Sequence, residues 1–348
     1  MTFEDYLMTT ITREGIRPPV AAPQATPRKS FWRLANPYLY LIPAMLVMAV
    51  MTYYPMAFGV WMSFTDYGLK NLRVDSAAPN FVGVQNYVDI LTGAVAIPNF
   101  DFFYTLFFNL FWTFSNVIFH VVIGVLIAVL LNAKGLWFKG IYRAIFILPI
   151  VIPTLVVANV WRNMFDPDFG AINQFLALSG GLIGFSPATF HIRWIESVAP
   201  PIPGVPLPLA YFALLITNIW LGWPFMTIVA TGALQSISKD FYEAASIDGA
   251  SPTQQFFRIT IPLLRPAMVP AIIYGITLTF NLFNLIYFVS GGGPLRETEI
   301  LVTTAFRLVN EQRLYGIAAA FAVFIALILL VITIITSQVS RATESYDV

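Results

Sequence analysis

Glu243-Ala244-Ala245-Ser246-Ile247-Asp248-Gly249-Ala250, running on to Ile261-Pro262, is a short polar stretch punctuated by Gly and Pro between two long apolar runs. Capping rules give it a shape. Ser238 is an N-cap followed by helical residues from Lys239 to Ala245, and Gly249 takes the left-handed conformation that ends such a helix. Ser251-Pro252 is an N-cap with proline at the first helical position, so a second helix starts there. Pro262 and Pro266 mark the approach to the next apolar run. The expected product is helix, tight turn, helix, lying along a membrane surface. Ala244, Ala245 and Ala250 keep the turn slim enough to enter a cleft, and Glu243 and Asp248 give it polar margins. A plain amphipathic surface loop fits the same capping signals.

The flanks of this segment set the class. The chain has 348 residues, 58% hydrophobic and only 11% charged, with a mean hydropathy of +0.74. A water-facing surface needs more charge than that. Continuous apolar stretches, rather than alternating ones, point to an all-α membrane protein instead of a barrel. Six stretches reach the roughly 20 residues that a bilayer-crossing helix needs: about 37–63, 103–131, 144–161, 208–234, 267–289 and 315–337. Residues 1–36 read as a flexible tail carrying Pro18, Pro19, Pro23 and Pro27, and 341–348 as a short C-terminal tail. The transmembrane domain is expected over 37–340, with 235–266 as a loop within it.

Lys and Arg are enriched in the N-terminal tail (Arg13, Arg17, Arg28, Lys29, Arg33), in 132–143 and in 235–266. This bias places both termini and the 235–266 loop in the cytoplasm. Trp32, Tyr38, Tyr53, Tyr54, Trp137 and Trp161 fall near span ends, as interfacial aromatics do. All 19 basic and 18 acidic residues lie outside the span interiors. Ion-coupled pumps and voltage sensors use intramembrane charges, so this chain carries no coupling machinery of that kind, and a solute in its path is expected to be neutral. The net charge of +1 and the lack of a basic stripe exclude a nucleic-acid role. Cysteine is absent, and His120 and His191 stand alone without metal-ligand spacing.

Polar amides (Asn109, Asn116, Asn159, Asn218, Asn281, Asn284) and helix breakers (Pro43, Pro55, Pro149, Pro153, Pro224, Pro270) recur within the spans. Taken singly they read as interhelical contacts and kinks. Asn218-Ile-Trp220-Leu-Gly222-Trp223-Pro224-Phe225 is different, because an amide, aromatics, a Gly and a Pro crowd two turns of one helix. Amides for hydroxyls and aromatic faces for ring C–H groups are the two kinds of contact that a sugar needs.

The Glu243–Ala250 segment with Phe256, Ile259, Ile261, Pro262 and Pro266 resembles the EAA loop of permease subunits of binding-protein-dependent ABC importers, in particular the maltose and oligosaccharide branch. The likeness runs from about residue 36 to the C-terminus. It includes Pro37-Tyr-Leu-Tyr-Leu-Ile-Pro43, Phe81-Val-Gly83-x-x-Asn86-Tyr87, Tyr142-Arg143, Leu148-Pro149, Asn173, and Gly291-Gly292-Gly293-Pro294 with Thr298. The resemblance implies a type I importer permease fold in a prokaryotic cell membrane. It also implies that the chain is no enzyme and holds no cofactor of its own, ATP and Mg belonging to a partner ATPase. The implied partners are a second homologous permease, a dimer of cytoplasmic ABC ATPases, an extracytoplasmic sugar-binding protein, the sugar and membrane lipid. Glu243, Ala244, Ala245, Asp248, Gly249 and Ala250 carry over as the coupling site. Asn218, Leu221, Gly222 and Phe225, then Gly275, Thr279 and Leu282 in the next span, carry over as substrate contacts for a neutral di- or oligosaccharide. That second set is poorer in amides and hydroxyls than the maltose-type pattern, and Asn281 or Asn284 is expected to compensate. External residues 162–207 form a Pro-rich loop suited to meeting the binding protein.

Glycerol-phosphate-type relatives share much of this pattern. A self-contained secondary carrier would need intramembrane ion sites and repeated halves, and neither is visible. A membrane enzyme would need clustered His, Cys, Asp or Glu, and the charges are scattered.

Overall fold

In the computed structural model, residues 31–344 are described apart from Val74, Ala96 and Lys134, with side chains from Leu39 to Gln338. The expected tails therefore lie outside the described residues over 1–30 and 345–348, as do the side chains of Trp32 and Tyr38. Two units are distinguished, one ending at Ala57 and one beginning at Phe58. The first holds α1 (Phe31–Met48), a π-helical turn Ala49–Tyr53 and the start of α2 (Tyr54–Met62). The π turn ends two residues before Pro55. A proline ring collides with the carbonyl four residues earlier, and widening the helix relieves this.

The second unit contains α3 (Gln85–Thr92), α4 (Phe102–Asn132), α5 (Lys139–Val151), α6 (Thr154–Met164), α7 (Ala171–Leu182) and α8 (Leu209–Ser236). Next come α9 (Lys239–Ile247), α10 (Pro252–Gln255), α11 (Ile261–Phe280), α12 (Phe283–Val289), α13 (Leu301–Asn310) and α14 (Tyr315–Glu344). Among the described residues there is no strand beyond one isolated bridge, Thr65 to Phe81. Among the described residues five helices are long and apolar enough to cross a membrane, or six when the bent α5–α6 pair is taken as one span. The six-span helical architecture expected from sequence is thus present, with differences inside three of its segments.

The first difference is the expected span 144–161. It is two helices, α5 and α6, bent by 97°. Pro153 forces its predecessor out of helical geometry, and Ile152 is extended at φ −78°, ψ 127°. The second is the span expected over 267–289, which stops at Phe280; Asn281 and Leu282 turn the chain, and α12 starts afresh. The third is the loop expected over 235–266. Its second half is helical: α10 runs through a π turn, Phe256–Thr260, into α11. Pro262 and Pro266 therefore sit inside a helix. The π turn again ends two residues before a proline, Pro262, the same relief as at Pro55. The Pro-rich stretch 162–207, expected to lie outside, is also partly ordered, since it contains α7. Asn173 there donates to the Ile192 carbonyl at 2.9 Å and accepts from the Trp194 indole at 2.8 Å.

Helix α4 explains how the unit holds together without a conventional amphipathic face. Its exposed side is greasy (Phe103, Phe107, Phe111, Ile118, Leu126, Leu130), as a lipid-facing surface should be. Its buried side carries Thr105, Asn109, Thr113, Asn116 and His120 at helical spacing. Lipid offers no drive to bury apolar groups, so specific polar contacts and close packing hold membrane helices together. Asn109 is central. Its Nδ2 donates to the Phe280 carbonyl at 3.2 Å, and its Oδ1 accepts from the Leu301 N–H at 3.0 Å. The Trp112 indole donates to the Thr279 carbonyl at 3.2 Å. Both carbonyls lie at the end of α11, where the regular helical bonds run out; the Thr279 carbonyl also accepts from the Leu282 N–H at 3.3 Å. Deeper along α4 and α8, Val125, Ala128, Met226 and Ala230 pack with Leu264 and Met268 into one apolar cluster.

Asn109→Leu should therefore strand a buried carbonyl and a buried N–H, and destabilise the protein by about 1–3 kcal/mol. Asn159→Leu should stay within about 0.5 kcal/mol, because Asn159 is exposed and bonds only its own helix at Leu155. Thermal unfolding of the detergent-purified protein compares the two; equal midpoints would refute the bridging role.

Candidate functional site

A cavity of about 600 Å³ opens between α4, α5, α6, α8 and α11, beside the break at Ile152–Pro153 and the break at Asn281. All eight residues expected to contact substrate line it: Asn218, Leu221, Gly222 and Phe225 from α8, Gly275 and Thr279 from α11, and Asn281 and Leu282 from the turn after α11. Asn284 is exposed and lies off the cavity, so of the two expected amides only Asn281 is available there. Thr154, the first residue of α6, and Thr277 also reach the wall. No Asp, Glu, Lys or Arg does. Interrupted backbone at membrane depth is tolerated where it lines a cavity, and both interruptions here do so.

The aromatic assignment needs correcting. Trp220 packs against Trp161 with centroids 6.0 Å apart, and Trp223 packs edge-on against Phe146 at 5.1 Å. Neither lines the cavity. The aromatic surfaces on it are Phe225 and Tyr274, tilted at 57° with centroids 5.6 Å apart. Helical geometry is the reason: Trp220 and Trp223 project from faces of α8 turned away from Asn218 and Leu221.

His120 is the cavity residue that sequence reasoning passed over. It is 4% exposed, and its Nε2 lies 2.8 Å from the Asn218 carbonyl oxygen. An oxygen acceptor requires that nitrogen to carry the hydrogen. The ring occupies the space over Gly222, where a Cβ would strike the imidazole. One turn away, a Cβ on Gly124 would lie 2.5 Å from the Met226 Cβ and 3.0 Å from the Thr227 nitrogen. Thr227 Oγ1 donates to the Gly124 carbonyl at 3.1 Å. Two glycines, one on each helix, let α4 and α8 approach closely, as small residues do in membrane helix pairs. The side-chain amide nitrogen of Asn218 is buried without a hydrogen-bond partner, an unusual cost of about 1–3 kcal/mol in a resting protein. One signal for His120 was present in the sequence: it continues the Asn109, Thr113, Asn116 stripe of an otherwise apolar helix.

The Glu243–Ala250 segment is rigidly built. Gly249 has φ +79°. The Ala250 N–H donates to the Ala245 carbonyl at 2.8 Å and the Gly249 N–H to the Ser246 carbonyl at 3.1 Å, the two bonds of a Schellman motif. Ser251 and Gln254 then form a reciprocal capping box. Gln255 Nε2 ties back to Ser246 Oγ at 3.0 Å and to the Ala250 carbonyl at 3.2 Å. Glu243, Ala244, Asp248 and Gly249 are exposed, ringed by exposed Phe241, Ile247 and Phe257.

The segment between α12 and α14 holds a further polar cluster. Glu299 is 1% exposed although it belongs to a loop. It pairs with Arg307 Nε at 2.8 Å and Arg296 Nη1 at 3.1 Å, and accepts from Thr304 at 3.0 Å. Burial pushes its carboxyl pKa up, while the two guanidinium groups pull against that. Arg307 also holds the Gly291 carbonyl, and Thr298 Oγ1 donates to the Gly293 carbonyl at 2.6 Å. Among the described residues no group of His, Cys, Asp and Glu is arranged to hold a metal ion.

The model of the family described as "Binding-protein-dependent transport system inner membrane component" matches residues 120–345. Among curated relatives, the galactooligosaccharides transport system permease protein GanP of Bacillus subtilis is 32% identical over 84% of this chain and 66% of its own length. The trehalose/maltose transport system permease protein MalF of Thermococcus litoralis is 31% identical over 82% of this chain and 87% of its own. The maltose/maltodextrin permease MalF of Escherichia coli is 35% identical, but the match spans only 37% of that longer protein. A chain of a bacterial ABC transporter that imports the acidic polysaccharide alginate shares the fold, with a TM-score of 0.70 at 22% identity over 89% of this chain and 98% of that one. With the family model matched from the His120 region of α4 to the end of α14, this chain belongs to the binding-protein-dependent transport system inner membrane components.

Proposed function

We propose that this chain is the channel-forming permease subunit of an ATP-driven importer that moves a neutral di- or oligosaccharide into the cytoplasm. The observation that carries this reading is the cavity itself: hydrogen-bonding groups from Asn218, Thr279, Asn281 and Tyr274 meet the apolar and aromatic surfaces of Leu221, Phe225 and Leu282, without a charged side chain. Ligand pockets combine a mostly apolar wall with a few convergent polar groups, and a sugar presents hydroxyls and C–H faces to match. A uronate or phosphate buried here would lack a counter-charge from this chain.

In this reading both termini and α9–α10 face the cytoplasm. The Schellman turn at Glu243–Ala250 docks into a dimeric ABC ATPase, a second permease closes the other half of the pathway, and an external binding protein delivers the sugar near the Gly291–Glu299 loop. The sugar relatives and the family description support these partners. ATP and Mg belong to the ATPase, and this chain is no enzyme.

Affinity purification of the full chain from its native membrane should recover an ATPase and a second permease. The proteoliposome-reconstituted assembly with its binding protein should take up at least one of maltose, trehalose or galactobiose only when ATP is supplied. Uptake driven by an ion gradient in the absence of ATP would overturn the reading. Gly249→Trp forces a side chain into a left-handed position at about 1 kcal/mol and adds bulk to the docking turn. It should leave membrane insertion intact and abolish uptake; wild-type uptake would show that the turn does not dock. Asn218→Leu should raise the half-saturating sugar concentration about tenfold or more, the value of a lost hydrogen bond, while the ATPase still co-purifies. Unaltered affinity would remove Asn218 from the site.

A further inference from the structure

We propose that His120 is a positioning residue of the cavity: seated in the gap over Gly222 and bonded to the Asn218 carbonyl, it fixes the α8 turn that presents Asn218 to the sugar. The inference rests on the sugar reading of the cavity and deepens it. Three observations converge. The Asn218 amide nitrogen is buried and unpaired, so no hydrogen bond from that nitrogen fixes the side chain. The turn that follows it is weakened from within, because Pro224 has no N–H to return to the Trp220 carbonyl. The contact that replaces this lost rigidity comes from another helix, through the 2.8 Å bond from His120 Nε2–H to the Asn218 carbonyl.

The fit is specific in shape as well as in bonding. A Cβ at Gly222 would occupy the imidazole's position, so the glycine and the histidine form one interlocking pair. Their neighbours on the same helix crossing, Gly124 with Met226 and Thr227, set the close approach of the two backbones. His120 thus reaches the Asn218 carbonyl because the crossing is tight, and removing either member of the pair should disturb the same thing, the aim of Asn218. The action passes through another residue, so it should appear mainly in apparent affinity rather than in assembly or in the maximal rate.

The test uses the complete importer, reconstituted with its ATPase, partner permease and binding protein, and whichever of maltose, trehalose or galactobiose the wild type takes up. His120→Leu removes the donor at similar size. It should raise half-saturation about tenfold, with the maximal rate and the amount of assembled complex changing less than about twofold. His120→Gln restores an N–H donor of similar reach and should bring half-saturation back to within about threefold of wild type. The proposal is overturned by a His120→Leu importer of wild-type half-saturation, or by a His120→Gln importer as impaired as His120→Leu. Poor assembly of His120→Leu and His120→Gln alike would assign the histidine to packing only and also overturns it. If the sugar reading itself is wrong, Asn218→Leu has no effect on uptake; if only the His120 proposal is wrong, Asn218→Leu still impairs it.

Discussion

The amide of Asn109 answers two backbone groups at once, the carbonyl of Phe280 and the N–H of Leu301. Within a bilayer no water takes the hydrogen bonds of an interrupted helix, and each unsatisfied group costs several kcal/mol in hydrocarbon. A membrane protein that needs a polar cavity must break helices to expose backbone and bend walls, and it must then partner what the breaks release. Trp112 adds a second donor to the Thr279 carbonyl, which the Leu282 N–H also reaches. The geometry of the cavity follows from this constraint, because α11 ends where α4 supplies those two side chains, and the chain then turns through Asn281 and Leu282 into the cavity wall.

The same logic explains the inside-out character of α4 and α8. Large apolar residues cover their outward sides, and their buried faces mix polar and small residues with large apolar ones such as Phe108, Trp112 and Leu214. A water-soluble bundle would carry polar residues on those outward sides and gain from burying its apolar ones away from water. Here the gain comes from close approach at Gly124 and Gly222, from Thr227 bonding the Gly124 carbonyl, and from His120 filling the space that Gly222 leaves. Outside the apolar spans charge becomes affordable, and Glu299 with Arg296 and Arg307 builds a buried ionic anchor under the Gly291–Pro294 turn.

Much of this was legible residue by residue, and the parts that were not share a physical cause. The caps at Ser238, Gly249 and Ser251 are local devices, written in a few adjacent residues, and each stands where the sequence put it. The spans are legible because hydropathy is a bulk property. Pro153 was visible as a breaker, yet a proline signals a kink without its size; the 97° bend depends on what α5 and α6 each pack against. The break at Asn281 carries no Gly or Pro, since its cause lies about 170 residues away in Asn109 and Trp112. The placement of Trp220 and Trp223 off the cavity, the role of His120 and the burial of Glu299 are likewise long-range facts. The seven residues read from the family pattern, and Asn281 beside them, do converge on one cavity, with Phe225 and Tyr274 as its aromatic surfaces.

The cavity and the Glu243–Ala250 turn lie at opposite ends of one helical path. From Pro252 through the π turn to Phe280 the helix runs for 29 residues, about 44 Å at 1.5 Å per residue. One end is clamped to α9 by the Schellman turn, the capping box and the Gln255 bonds. The other carries Gly275 and Thr279 on the cavity wall. Hydrogen-bonded helices resist axial compression, so a displacement imposed at the turn has few places to dissipate on the way. One such place is the π turn at Phe256–Thr260, which Tyr242 braces through a 3.0 Å contact with Thr260. In the proposed importer, a push on the turn therefore reaches the sugar as movement of one cavity wall against α4 and α8. Those two helices hold the opposite wall fixed through Gly124, Gly222 and His120.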